Sequence, residues 1–121
     1  MVKKESMQKA ILATPLEVLN QFEAHDYTLS TAFESRLRAN SSKAFCYFEG
    51  KEISWAEFDH DVQKMQGFLL SKHIQAGDRV GIVAKNHYTH LLLLFSLANI
   101  STILLPINPD FGSAELGYVL K

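Results

Sequence analysis

With 121 residues, 47 % of them apolar and 21 % charged, the chain is long enough for one hydrophobic core and too apolar for intrinsic disorder. Twelve Lys and Arg against 13 Asp and Glu leave a formal charge of -1. These charges are interspersed, Lys3-Lys4 being the only basic pair, which argues against the clustered cations that nucleic-acid binding needs.

Residues 1–13 show no cap or period and read as a loosely ordered lead-in; Glu5, Gln8 and Lys9 interrupt any apolar run behind Lys3-Lys4, so no signal peptide is expected. Thr14, Pro15 and Glu17 form a helix start with a capping-box spacing, and Leu16, Leu19 and Phe22 carry that helix to about Ala24. A second helix is expected from Ser30 or Thr31 to Asn40, with Glu34 three residues after Thr31 and Leu29, Phe33 and Leu37 on one face. Ala44 to Phe48 then reads as a strand, Glu49-Gly50-Lys51 as a turn, and Glu52 to Ser54 as a short return strand. The single cysteine, Cys46, lies inside this apolar strand. It excludes an internal disulfide and fits a reducing, cytoplasmic compartment; no His or cation stands near it in sequence to activate it as a nucleophile.

Ser54 and Glu57 open the best-defined helix. Trp55, Phe58, Val62, Met65 and Leu69 fall on one stripe, with Asp59, His60, Gln63 and Lys64 opposite, and the stripe is expected to pack against a sheet. Lys72 and His73 in the last turn and Gly77 beyond it mark the end. Arg79 to Ala84 is apolar on both faces after its first residue, as a central parallel strand requires. Asn86 is the expected cap of a helix from about His87 to Asn99; Ile103-Leu104-Leu105 is a second buried strand, stopped by Pro106; and Asn108-Pro109 is a turn. The run from Leu91 to Ile107 is the most apolar of the chain. It is too short and too polar at Ser96, Asn99, Ser101 and Thr102 for a membrane span of about 20 apolar residues. Ser113 and Glu115 open a final helix. The fold class is therefore α/β: a partial doubly wound domain whose parallel strand-helix-strand unit follows helices and a short hairpin. Residues 14–121 are expected to form one domain, incomplete at its C-terminus because parallel strands need covering on both faces.

The chemistry-bearing residues are sparse. None of the six glycines makes a G-x-G-x-x-G; Gly112 and Gly117 have P-loop spacing, but Tyr118 stands where Lys is required. His87 and His90 share a helix face, a weak metal signal without a third ligand. In open α/β sheets ligands bind beyond the carboxyl ends of the strands, which here carry Lys85-Asn86-His87-Tyr88 and Ile107-Asn108-Pro109-Asp110. The plainer reading of both is a helix cap and a turn.

Ser54-Trp55-Ala56-Glu57-Phe58, Gly77-Asp78-Arg79-Val80-Gly81-Ile82, Asn86, Leu94-Phe95-Ser96-Leu97, Pro106-Ile107-Asn108-Pro109 and Glu115-Leu116-Gly117-Tyr118 occur in an order that resembles the N-terminal region of the adenylate-forming superfamily, which holds acyl-CoA synthetases, luciferases and peptide-synthetase adenylation domains. The likeness covers roughly residues 28–121, and Asn86 and Pro-Ile-Asn-Pro are more similar to acyl- or aryl-CoA ligases. Ser101-Thr102 departs from the family's usual Gly-Ala. The resemblance implies a parent enzyme that uses ATP and Mg²⁺ to turn a carboxylate into an acyl-adenylate and then passes the acyl group to CoA. It also implies that the phosphate loop, the adenine and ribose contacts and the catalytic lysine lie beyond Lys121. No catalytic, cofactor-binding or metal residue is thus expected in this segment, which is expected to be inactive alone and to bind no cofactor. Its partner is the remainder of the enzyme or another chain across the unfinished sheet. The alternatives are a non-catalytic α/β interaction module, and a small binding domain whose own helices close both faces of the sheet.

Overall fold

The computed structural model describes residues 14–20 and 28–121. Its elements in chain order are α1 (Pro15–Leu19), α2 (Leu29–Asn40), β1 (Ala44–Phe48), β2 (Lys51–Ser54), α3 (Trp55–Ser71), β3 (Arg79–Val83), α4 (Tyr88–Asn99), β4 (Ile103–Ile107) and α5 (Ser113–Val119). The lead-in expected over 1–13, and the part of the first helix expected over 21–24, lie outside the described residues.

Reciprocal side-chain caps set two of the helix starts. The Thr14 N–H donates to Glu17 Oε2 at 2.7 Å and the Glu17 N–H to Thr14 Oγ1 at 3.3 Å. The same box recurs at α3, where the Ser54 N–H reaches Glu57 Oε2 at 2.9 Å and the Glu57 N–H reaches Ser54 Oγ at 3.2 Å. Helix α2 starts earlier than the Thr31–Glu34 pair suggests. Thr28 is its cap, accepting from the Thr31 N–H at 3.2 Å, because its extended backbone leaves the hydroxyl beside the orphan N–H groups of the first turn. Asn86 is likewise not the cap of α4. His87 takes that place, its Nδ1 accepting from the Thr89 N–H at 3.1 Å.

β1 and β2 pair antiparallel, with Phe48 opposite Lys51, so the connecting turn is Glu49-Gly50 alone. Both turn residues have positive φ, 50° and 78°, the pairing that a two-residue hairpin turn selects and that glycine meets without strain. β3 and β4 pair parallel, from Arg79 beside Ile103 to Val83 beside Ile107. Pro106 therefore lies within β4, opposite Ile82, instead of ending it. Proline is tolerated where a strand is not flanked on both sides, and β4 pairs with β3 alone among the described residues. Gly81 permits close packing here, since a Cβ at that position would stand 3.1 Å from Ile107 Cδ1.

The core lies on one side of the molecule. Phe33, Ile53, Phe58 and Val62 are its buried centre, with Phe45, Trp55, Leu92 and Phe95 packed around them. The α3 stripe thus packs against α4, α2 and the hairpin, whose two strands are the sheet it meets. An apolar stripe specifies burial but not the partner. Ser96, fully buried, lets the two helices approach: its hydroxyl lies 2.5 Å from the Leu92 carbonyl and 3.0 Å from that of Val62 across the interface.

The strands expected to be buried on both faces are not. No residue of β3 is fully buried, and Val83 and Ile103 are 53 % and 50 % exposed. Their register puts both on one face of the pair. The described helices do not close the sheet.

Candidate functional site

Two clefts meet where the hairpin tip abuts the first turn of α4. The smaller, of about 330 Å³, is lined by Cys46, Tyr47, Phe48, Asn86, His87, Tyr88, His90 and Leu91. The larger, of about 470 Å³, lies on the other side of Phe48 and Tyr88 and is bordered by Glu49, Lys51, Glu57, His60 and Asp61. The Phe48 and Tyr88 rings form the wall between them, stacked with centroids 5.8 Å apart, and the His87 ring meets Phe48 edge-on at 4.9 Å.

The strand-helix junction brings these groups together. After β3 the chain crosses in a short loop and His87 turns it into α4, which places Tyr88 at the first helical position. From there the Tyr88 hydroxyl donates to Asp61 Oδ2 on α3 at 3.0 Å. Burial, then this hydrogen bond, raises the phenol well above its ordinary range, so Tyr88 remains a protonated donor. Burial also pushes the Cys46 thiol up, and no opposing cause lowers it. Cys46 is therefore a packing thiol and not an activated nucleophile, although folding brings it to the same cleft as His87 and His90.

The two loops singled out beyond the strand ends have different fates. Asn86, His87 and Tyr88 line the first cleft; Lys85 is exposed and lines neither. Asn108, Pro109 and Asp110 line neither cleft. The Asn108 side chain closes its own turn by accepting from the Asp110 N–H at 3.0 Å, and Ile107 is buried. The hairpin's share of the site and the Tyr88–Asp61 bond are absent from the sequence reading. The available signal was Asp61 itself, a carboxylate three residues after Phe58 and directly before Val62 on the apolar stripe.

This donor set suits neither a nucleotide triphosphate nor its metal. The first cleft is bordered by no charged side chain, and the second by three carboxylates that would repel phosphate oxygens against one Lys. Among the described residues no three His, Cys, Asp or Glu side chains are placed to hold a metal ion, and Gly117, the second glycine of the P-loop spacing, lies inside α5. No helix of the described residues is long and apolar enough to cross a membrane.

Comparison with known proteins shows the family. Residues 33–121 match the model of the family described as AMP-binding enzyme. The chain belongs to the AMP-binding enzyme family. Among curated relatives it is 34 % identical over 73 residues to the mitochondrial medium-chain acyl-CoA ligase ACSF2 of Mus musculus, a match over 60 % of this chain and 12 % of that protein. It is also 34 % identical over 68 residues to the acyl-CoA ligase SID4 of Ajellomyces capsulatus, over 56 % of this chain and 12 % of that one. A Rhodopseudomonas palustris structure described as a long-chain-fatty-acid CoA ligase superposes with a TM-score of 0.73 at 25 % identity, over 79 % of this chain and 24 % of that one. The N-terminal subdomain of Klebsiella oxytoca NpsA shares the fold, with a TM-score of 0.73 at 17 % identity over 80 % of this chain and 26 % of that one. The chain thus corresponds to a segment of an AMP-binding enzyme with a partial α/β fold, and it spans about an eighth of the curated relatives' length.

Proposed function

We propose that this chain is the N-terminal scaffold of an ATP-dependent acyl-CoA ligase: it carries structure on which the carboxylate-activating machinery is built and holds none of that machinery itself. The observation that carries this reading is the family match over residues 33–121. ATP, Mg²⁺ and CoA belong to the full enzyme in this proposal, and residues 14–121 to its large AMP-binding domain. ACSF2 is named as a medium-chain ligase, which makes medium-chain fatty acids the first substrates to try. A cytoplasmic location remains a proposal resting on the single cysteine; the mitochondrial designation of ACSF2 supplies the competing outcome for fractionation of cells expressing the chain.

The test is ATP–pyrophosphate exchange by the purified 121-residue protein with Mg²⁺ and C8 to C12 fatty acids. No exchange above the protein-free rate is expected. Exchange that scales with protein concentration overturns the scaffold reading.

A second reading is favoured by the exposed apolar face carrying Val83 and Ile103: the segment acts as a non-catalytic module that binds another chain across this sheet. Under the scaffold reading the remainder of the ligase covers that face. Co-expression with a ligase remainder separates the two, because only the scaffold reading expects acyl-CoA synthesis to appear in the mixture.

A further inference from the structure

We draw no further inference here: the strongest candidate, the open apolar cleft between the hairpin tip and the first turn of α4, belongs to the candidate site already described, and nothing in the structure shows what fills it.

Discussion

Around Phe58, four rings from three other elements meet: Phe33, Phe45, Tyr88 and Phe95 have centroids 4.0 to 5.9 Å from it, and its side chain is fully buried. Around β3 and β4 the apolar content is as high, yet Val83 and Ile103 remain half exposed. The first region is finished by its own neighbours, because a helix pair, a third helix and a hairpin enclose the aromatic cluster from several sides. The second is a two-stranded parallel ladder, an arrangement that is stable only under cover. Stability in this chain is therefore concentrated in the aromatic half. The sheet contributes hydrogen bonds and an apolar face that the described helices do not cover.

The sharpest test of that contrast is Phe58→Ala. Deleting a fully buried ring that touches four others should cost about 3–5 kcal/mol, measured as a lowered urea midpoint at constant slope. A loss below about 1 kcal/mol would mean that the aromatic half is not the stability centre.

Next in size is the α3 cap. Ser54→Ala should cost about 1 kcal/mol. Its partner carries a pH signature. The Ser54 backbone bond first, then the Ser54 hydroxyl, hold the Glu57 carboxyl below its ordinary range. Its folded value therefore lies below its unfolded one. The contribution is complete above the unfolded carboxylate range and is lost as the pH falls through the folded value. Glu57→Gln keeps an acceptor without the charge, so the gap in thermal midpoint between it and the parent should narrow from pH 6 to pH 3. A gap that widens on acidification contradicts the assignment.

A third effect has the opposite sign. After α4, the Ser101 N–H bonds the Ala98 carbonyl at 3.1 Å and the Thr102 N–H the Leu97 carbonyl at 3.0 Å, the paired closure of a Schellman motif. The left-handed residue of that motif is Ser101, with φ 58°. Ser101→Gly removes the Cβ strain and should stabilise the chain by about 0.5–1 kcal/mol, after the greater unfolded-state freedom of glycine is subtracted. Unchanged or lowered stability on thermal unfolding would show that the strain is relieved elsewhere.

What the sequence revealed divides along the same line. The Thr14–Glu17 and Ser54–Glu57 boxes, the hairpin and the α3 stripe were legible because each is decided within a few residues by one side chain and the nearest backbone. The α4 cap was misplaced by one position because Asn86 and His87 are adjacent polar candidates, and backbone geometry alone decides which faces the free N–H groups. Pro106 was read as a stop because nothing local tells whether a strand has one neighbour or two. The clefts were not legible at all: their common wall is Phe48 and Tyr88, distant in sequence and brought into direct contact only because the hairpin and α4 both pack on α3. The Ser101-Thr102 departure from Gly-Ala was visible in the sequence, and its consequence, a left-handed serine, required the backbone.

The smallest expected effect tests the open half directly. Val83→Thr and Ile103→Thr alter an exposed face without changing branching at Cβ, so β propensity is kept while apolar area is lost. If that face meets only water, each should shift stability by less than about 0.5 kcal/mol, and light scattering should show equal or reduced self-association. A loss near that of a buried residue, growing with protein concentration, would mean that copies of the chain cover one another's sheets. In that event the contrast between the two halves holds for the single chain and is erased by assembly, since an uncovered parallel ladder gains more from any partner than the closed aromatic core can.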